Sequence, residues 1–211
     1  PNTLCVWHDG WSEFPAEERA RLLARQGQGY TTADAIRVVD EQMQDVPQDG
    51  ATVGEVVMRG NTVMTGYFAN EEATREAFLG GAFHSGDLAV WHPDGAMELR
   101  DRAKDVIISG GENISSIEIE QTISTHAAVL ECAVVAVPDE RWGEGPKAFV
   151  TLKEGADVSQ EEIVAFCRER LAHFKCPKEV AFQPLPKTST GKVEKFVLRE
   201  PEWAGHEHRI N

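Results

Sequence analysis

The stretch DRAKDVIISGGENISSIEIE, residues 101–120, decides how the second half of the chain folds. A short apolar strand at 106–108 runs into a tight turn that contains two adjacent glycines. Ser115 and Glu118 then have the spacing of a capping box, which predicts a helix that extends to about His126. The stretch therefore predicts a hairpin followed directly by a helix.

The residues that follow predict a small α+β domain. Three more apolar stretches have the length of strands: 131–137, 146–152 and 180–185. A second capping box, Ser159 with Glu162, predicts a helix between the last two, and a short helix is expected at 193–199. We expect a short antiparallel sheet with flanking helices over 104–200, and a tail at 201–211.

Residues 1–103 differ in sequence pattern from the residues that follow, since they predict more strands and tight turns. The predicted strands are 35–40, 53–58 and one that runs through Leu99, and 82–90 is predicted to be a strand–turn segment. Helices with marked ends are predicted at 15–26 and, capped by Asn70, at 70–78. Because the pattern of predicted strands and helices changes near the stretch quoted above, we expect a β-rich subdomain, 1–103, followed by the α+β domain from Lys104.

The composition narrows the class of partner. The chain has 211 residues, with 21 Lys and Arg against 35 Asp and Glu, which gives a formal net charge of −14. A surface with this balance repels nucleic acids and anionic lipids, so a local cluster of cations must hold any anionic ligand. The longest apolar runs are only as long as strands, which predicts no transmembrane segment.

The ends of the chain and its cysteines favour ordinary structural roles. The first residues, 1–4, lack the features of a signal peptide, and the chain looks like the middle of a longer one. The four cysteines are Cys5, Cys132, Cys167 and Cys176. Their spacing matches neither a CxxC pair nor a zinc finger, which favours reduced thiols and no metal site. The segment 206–208, His-Glu-His, fits a solvated tail better than a metal site.

Three polar motifs could carry chemistry, and each alone has an ordinary structural alternative. In PKTSTGK, residues 186–192, a glycine lets the loop close and project the ammonium of Lys192 toward a phosphate or carboxylate; a solvated loop explains the motif equally well. DRAKD, 101–105, fits a hinge or a surface ion-pair cluster. In HSGD, 84–87, Asp87 at a strand end could bind a ribose diol or cap a turn.

Four motifs occur in this order: HSGDLA at 84–89, DRAKDVIISGGENISSIEIE at 101–120, AVVAVPDERWGEGPKAFV at 133–150 and PKTSTGK at 186–192. Their order and spacing resemble the acyl-adenylate-forming (AMP-binding) superfamily. Its members include acyl-CoA synthetases, luciferases and the adenylation domains of peptide synthetases. The second motif is most similar to that of the CoA ligases acting on fatty and other carboxylic acids.

The resemblance implies which part of such an enzyme this chain represents. It is similar to about the last two-fifths of a family member, so that 1–103 would end the large N-terminal domain and 104–200 would be the mobile C-terminal domain. The family's phosphate-binding loop and acyl pocket lie on a part of the N-terminal domain that this sequence lacks. The missing N-terminal domain is therefore an expected partner, and the chain alone is expected to be inactive.

The resemblance also implies a reaction, that of an ATP-dependent, AMP-forming acyl-CoA synthetase. A carboxylate and ATP would give acyl-AMP and pyrophosphate, and the acyl group would then form a thioester with CoA. Expected ligands are a small carboxylic acid, ATP or AMP, Mg²⁺ with the ATP, and coenzyme A, in fatty acid metabolism and in the cytoplasm. Two alternatives stay open: a non-catalytic truncated remnant or interaction module, and an enzyme whose acceptor is carrier-protein phosphopantetheine or oxygen.

Four residues match family positions that serve nucleotide binding and adenylation. By this resemblance, Asp87 would accept hydrogen bonds from the ribose hydroxyls of ATP or AMP, and Arg102 would reach the same ribose or the phosphate. Lys104 falls at the hinge about which the C-terminal domain rotates. Lys192 would be the adenylation lysine, which binds the carboxylate and the α-phosphate while charge builds up in the transition state.

Other residues match positions that serve coenzyme A. Gly110 and Gly111 would line the pantetheine tunnel, where residues without a side chain leave room for the ligand. Glu112 belongs to the same turn. Three residues lie where such ligases often contact the CoA nucleotide: Trp142, Phe174 and Lys175. Cys176 departs from the family pattern, because some relatives have a second basic residue there.

Overall fold

A computed structural model describes residues 2–31 and 34–206. The chain forms two compact units, Pro1–Ala103 and Lys104–Asn211, each built around a sheet of its own. Within the described ranges, no helix is both long enough and apolar enough to cross a bilayer.

The first unit is mainly β. Its helices and strands are β1 Thr3–Leu4, α1 Ala16–Leu23, β2 Gln28–Gly29, β3 Arg37–Val39, β4 Val53–Met58, α2 Glu71–Ala77, β5 Phe83–Trp91 and β6 Met97–Arg102. Strands β3, β4, β5 and β6 form an antiparallel sheet in that order, and β1 pairs with β2 separately. The β-rich character predicted for this part is therefore confirmed.

Both faces of the four-stranded sheet bury apolar side chains. Successive residues of a strand point to opposite faces, so the neighbours Val56 and Val57 of β4 enter two different clusters. The predicted helix cap before α2 is confirmed, since the Asn70 side chain accepts from the N–H of Ala73 at 3.0 Å. The strand pattern and the cap thus act as the sequence predicts.

The second unit mixes helices and strands. Its elements are β7 Ile107–Ser109, β8 Glu112–Ile114, α3 Ser116–Ser124, β9 Val129–Asp139, β10 Gly143–Leu152, α4 Gln160–Arg168, β11 Glu179–Phe182 and α5 Lys195–Arg199. Every element predicted for this part is present within a few residues of its expected bounds. The predicted fold class, α+β, is confirmed.

The sheet of the second unit is centred on β10. This strand pairs along its length with β9, and on its other side with β11 and, at Gly143, with β7. The sheet departs from the predicted antiparallel arrangement at one pair, since β10 and β11 run parallel. The connection explains this, because α4 joins the two strands and a helical crossover lets the next strand point the same way.

The core of the second unit brings together side chains of the sheet, α3 and α4. The largest fully buried side chains of this core cluster are Ile107, Ile114, Ile119, Ile123, Val134, Val150 and Ile163. Both predicted caps are confirmed, because Ser115 accepts from Glu118 N–H and Ser159 accepts from Glu162 N–H, each at 3.2 Å. Only the second is a complete capping box, since the Glu118 carboxylate pairs with Lys175 instead.

The region predicted as a tail, 201–211, begins with ordered structure. Glu200–Trp203 forms a 3-10 helix, and Trp203 Nε1 donates to the backbone oxygen of Ala136 on β9 at 2.8 Å. The indole of Trp203 therefore anchors this segment to the sheet. Its polar neighbours in the sequence had suggested a free end. Residues 207–211, which include most of the His-Glu-His segment, lie outside the described residues.

Candidate active site

Asp87 and Arg102 lie side by side on β5 and β6. They are direct cross-strand partners, and Arg102 Nε donates to Asp87 Oδ1 at 3.0 Å. The prediction that Asp87 ends a strand is wrong, because it lies inside β5. The side chain of Asp87 is 28% exposed and that of Arg102 is 43% exposed, so the pair stays open to a polar ligand.

A polar network shapes the backbone just before Asp87. Gly86 has a φ of +70°, a conformation that favours glycine, and its N–H donates to Glu55 Oε1 at 3.0 Å. The other oxygen of Glu55 lies 2.7 Å from His84 Nδ1, and Asp87 N–H donates to Ser85 Oγ at 3.0 Å. The glycine therefore makes an irregularity inside the strand instead of a terminal turn. Glu55 is one residue that sequence reasoning missed, since an isolated glutamate in a strand carries no signal of its partner.

The loop 186–192 is closed by its own polar groups. Gly191 N–H donates to Thr188 O, and Thr188 N–H donates to Lys192 O, both at 2.9 Å. Gly191 has a φ of +85°, which favours glycine at this point of the turn. The predicted glycine-closed loop is therefore confirmed.

Lys192 is exposed at the end of this loop. Among the residues that the structure describes, none pairs with its Nζ. Lys187, at the other end of the loop, has its Nζ 2.5 Å from Glu131 Oε2. Lys192 therefore presents an ammonium that an anionic ligand can reach without breaking an ion pair.

Gly110 and Gly111 form the two-residue turn between β7 and β8. Their φ angles, +61° and +87°, are those that a type I′ hairpin turn requires at both positions. Trp142 lies against this turn: Gly110 N–H donates to Trp142 O at 2.8 Å, and a Cβ at residue 110 would be 2.8 Å from the indole. Three of the predicted CoA-site residues are thus neighbours, and Glu112 follows them as the exposed first residue of β8. The Arg141 guanidinium carbon lies 4.6 Å from the Trp142 ring centroid, an additional cation that the sequence motif did not single out.

Phe174 and Lys175 belong to the 3-10 turn His173–Lys175. The Phe174 ring is half exposed, whereas Lys175 Nζ donates to both carboxylate oxygens of Glu118, at 2.9 and 2.7 Å. Cys176 is buried, and burial raises the pKa of its thiol. The aromatic ring is therefore open to a ligand, while the charge of Lys175 is already neutralised and Cys176 points away from solvent.

Lys104 lies in the 3-10 turn Ala103–Asp105, where the first compact unit ends and the second begins. Its side chain is exposed, and its backbone oxygen lies 3.5 Å from Arg199 Nη1. The same guanidinium donates to Asp105 Oδ1 at 2.8 Å. The turn is thus fastened to α5 just after the residue predicted to be the hinge.

These elements define a class of protein: an α+β domain that offers an exposed lysine on a glycine-closed loop, preceded along the chain by a β-rich unit with an open Asp–Arg pair. Residues 118–192 match the family model of the AMP-binding enzyme C-terminal domain. The second unit is such an AMP-binding enzyme C-terminal domain.

The curated relatives are CoA ligases. The chain is 55% identical over 205 residues to acetate–CoA ligase CCL3 of Humulus lupulus, an alignment covering 94% of this chain and 36% of that protein. It is 50% identical over 199 residues to 4-hydroxybutyrate–CoA ligase 2 of Metallosphaera sedula, again with 94% and 36% coverage. The chain therefore spans about a third of the length of the curated relatives it matches.

Solved structures give the same picture. ATP-bound MatB from Rhodopseudomonas palustris superimposes with a TM-score of 0.79 at 34% identity, over 86% of this chain and 36% of that one. The amide bond synthetase McbA from Marinactinospora thermotolerans gives a TM-score of 0.77 at 31% identity, with 86% and 37% coverage. The similarity thus extends across both units.

Proposed function

We propose that this chain is the C-terminal part of an AMP-forming acyl-CoA synthetase. In that reaction a carboxylate oxygen attacks the α-phosphorus of ATP, pyrophosphate leaves, and the thiol of CoA then displaces AMP from the acyl-AMP. The identity of about 50% to CoA ligases along nearly the whole chain supports this proposal. Since the chain spans about a third of those proteins, we propose that it needs the rest of the N-terminal domain for activity.

The observation that carries the proposal is the exposed ammonium of Lys192. It lies on a closed polar loop at the end of the matched family segment, exposed and without a pairing carboxylate among the described residues. Charge accumulates on the carboxylate and the α-phosphate as the acyl-AMP bond forms. A cation that strengthens its contacts at this stage stabilises the transition state more than the bound substrates.

The side chains of Asp87 and Arg102 are suited to binding the ribose and the phosphates of the nucleotide. A carboxylate accepts hydrogen bonds from the two hydroxyls of a ribose, and the guanidinium that orients it can donate to the ribose or to a phosphate. Mg²⁺ enters the proposal only as the partner of the ATP phosphates. The side-by-side arrangement of the two residues supports a nucleotide-binding role for this part of the first unit.

The Gly110–Gly111 turn and Trp142 suit the second half-reaction. A glycine turn leaves room for the narrow pantetheine arm, and a Cβ at Gly111 would meet no described atom within 4 Å. The exposed indole of Trp142 can stack on an adenine ring. We therefore assign the acceptor side of the reaction to this turn, with the half-exposed ring of Phe174 as a further contact.

We propose a short aliphatic acid as the acyl substrate, because most relatives whose names give a substrate are named for one, although one relative is named for trans-cinnamate. The short aliphatic acids in these names are acetate, butyrate, 4-hydroxybutyrate and 2-methylpropanoate. Fatty acid metabolism and a cytoplasmic location remain parts of the proposal, and some relatives carry the word peroxisomal in their names.

A chimeric enzyme tests the proposal. In this chimera, the chain replaces the matching segment of the acetate–CoA ligase of Humulus lupulus. We call the chimera the reconstituted ligase. We expect acetate-dependent pyrophosphate exchange and acetyl-CoA formation from the chimera, and neither from the chain alone. Lys192→Ala in the chimera controls for activity that does not depend on this chain. A folded chimera that forms no acyl-AMP contradicts the proposal and favours a non-catalytic remnant or interaction module.

A different acceptor is the second candidate, and one observation favours considering it. The structural neighbour McbA is named an amide bond synthetase, so similar folds occur in enzymes with amine acceptors. Supplying the reconstituted ligase with acyl-AMP and either CoA, a phosphopantetheinylated carrier protein or an amine separates the acceptors. Thioester formation with free CoA at the highest kcat/KM would support the first proposal.

A further inference from the structure

A largely buried polar cluster lies beside the loop that carries Lys192. Lys195, the first residue of α5, donates from Nζ to Ser116 Oγ at 2.7 Å, and the same Nζ lies 2.7 Å from Glu120 Oε1. The side chains of Lys195 and Glu120 are each 18% exposed, and Ser116 is fully buried. The cluster ties the start of α5 to α3.

Glu120 extends this tie to the sheet. Its Oε1 also accepts from the backbone N–H of Val134 on β9, at 2.7 Å. A carboxylate held by a backbone N–H has a fixed place, and charge-assisted hydrogen bonds to it are short and strong. Lys195 therefore has a fixed partner, and the first residue of α5 is held by α3 and β9 together.

The other end of α5 is fastened as well. Arg199 donates to Asp105 Oδ1 at 2.8 Å, and these side chains are 13% and 11% exposed. Between the two ends, Leu198 is buried in a cluster with Ala133 and Phe149. Because α5 is anchored at both ends and along one face, it is held in a fixed place, and the residues just before it are attached to this fixed helix.

Two residues link Lys192 to the start of α5. Val193 forms a β-bridge across the base of the loop, and Glu194 N–H donates to Pro186 O at 2.9 Å. Three residue steps span at most about 10 Å, so the place of Lys195 limits the place of Lys192. We propose that Lys195 is a positioning residue for Lys192, acting through the start of α5. This inference rests on the proposed role of Lys192 in adenylation.

A double-mutant cycle in the reconstituted ligase tests whether Lys195 acts through Lys192. With Lys192 present, Lys195→Met should slow acyl-AMP formation about tenfold or more and leave thioester formation from supplied acyl-AMP within about twofold. In a Lys192→Ala background, the same change should slow acyl-AMP formation less than about twofold, because the residue that Lys195 positions is gone. Equal losses in both backgrounds would overturn the proposal, since they would show only general support of the fold.

Further variants guard against unfolding, because removing one partner of a buried ion pair leaves an uncompensated charge. Lys195→Arg retains charge and donors and should recover most of the rate. Lys195→Met combined with Glu120→Gln removes the ion pair but keeps an acceptor for Val134 N–H; it should stay folded and slow. Lys153→Met, in the exposed loop after β10, is the matched control and should leave the rate unchanged. A folded double variant with the wild-type rate would also overturn the proposal.

Amide hydrogen exchange in the chain itself gives a readout that needs no activity. Lys195→Met should speed exchange of the Gly191 amide, which donates inside the loop, by about tenfold and leave β10 protected. Lys153→Met should change neither, and unaltered exchange at Gly191 in Lys195→Met would overturn the inference. If the wild-type reconstituted ligase forms no acyl-AMP, the proposed function fails, while the exchange experiment still decides whether Lys195 holds the loop.

Discussion

Two lysines of one loop show how surroundings decide what a side chain can do. Lys187 and Lys192 are both exposed, but within the described part of the chain only Lys187 has a carboxylate, that of Glu131, 2.5 Å from its Nζ. The charge of an ammonium in such a pair is already partly neutralised, so it attracts a substrate anion less strongly than an unpaired ammonium does. The sequence predicted the loop and its closing glycine from local residues, whereas the partner of Lys187 lies on a distant strand and could be found only from the fold.

This difference predicts unequal effects of removing the two lysines from the reconstituted ligase. Lys192→Ala should slow acyl-AMP formation by a factor of about 10²–10³, the loss expected for one charge-assisted contact to a developing charge, worth about 3–4 kcal/mol. Thioester formation from supplied acyl-AMP should change little. Lys187→Ala is the matched control, with an expected loss below about threefold. Equal losses from the two substitutions, or equal losses in both half-reactions, would reject the assignment.

Gly111→Leu should show the reverse pattern. A leucine at a φ of +87° is strained by about 1–2 kcal/mol, and its side chain would occupy the open space that we assign to the pantetheine arm. Thioester formation should fall strongly while acyl-AMP formation persists, as measured by the two half-reactions. Gly155→Leu has a similar φ, +73°, and open surroundings, so it controls for strain alone. Loss of both half-reactions in Gly111→Leu but not in Gly155→Leu would contradict a role limited to CoA.

At the scale of elements, strands and helix starts were predictable because their signals are local. β4 has the predicted bounds, 53–58, and both capping serines lie where the sequence places them. β10 begins at Gly143, earlier than the predicted Pro146, because two glycines hide its first residues from a hydrophobicity pattern. The partners of Glu55 and Glu118 are set by strand pairing and by tertiary packing, so no local pattern reveals them.

The turn between β9 and β10 provides a pH-dependent prediction. Asp139 accepts a hydrogen bond from Lys178 Nζ and two from the backbone N–H groups of Arg141 and Trp142, and these contacts lower the pKa of its carboxyl below the ordinary 3.8. A lowered folded-state pKa adds stability above pH 3.8, and this stability is lost as the pH falls through the folded-state value.

Asp139→Asn should therefore lower the free energy of unfolding at pH 7 by about 1 kcal/mol, a modest figure because Lys178 is half exposed. Asparagine retains an oxygen for the backbone N–H groups, so the loss reflects the charge. Urea unfolding should show the difference from wild type shrinking below pH 3.8. Asp157→Asn, in the exposed loop before α4, is the control. A difference for Asp139→Asn that stays constant down to pH 3 would contradict this account.

At the scale of the whole molecule, the net charge of −14 makes local cations important. Nucleotides and carboxylates are anions, so the chain as a whole repels them and a few exposed cations must bind them. Arg102 and Lys192 serve this purpose in the proposal, one in each compact unit. A reaction that needs both residues needs both units, which makes the connection at Lys104 as important as either site.

We expect the two units to unfold as separate cooperative blocks, because each has its own core and the boundary between them along the chain falls in the 3-10 turn Ala103–Asp105. Ile119→Ala should destabilise the second unit by about 2–5 kcal/mol, and Val38→Ala should destabilise the first by about 2 kcal/mol. Hydrogen exchange measured by mass spectrometry should rise only in the unit that carries the substitution. Limited proteolysis of the wild type should cut first within 101–105. Increased exchange in both units after either substitution, or first cleavage within 130–185, would show that the chain unfolds as one block.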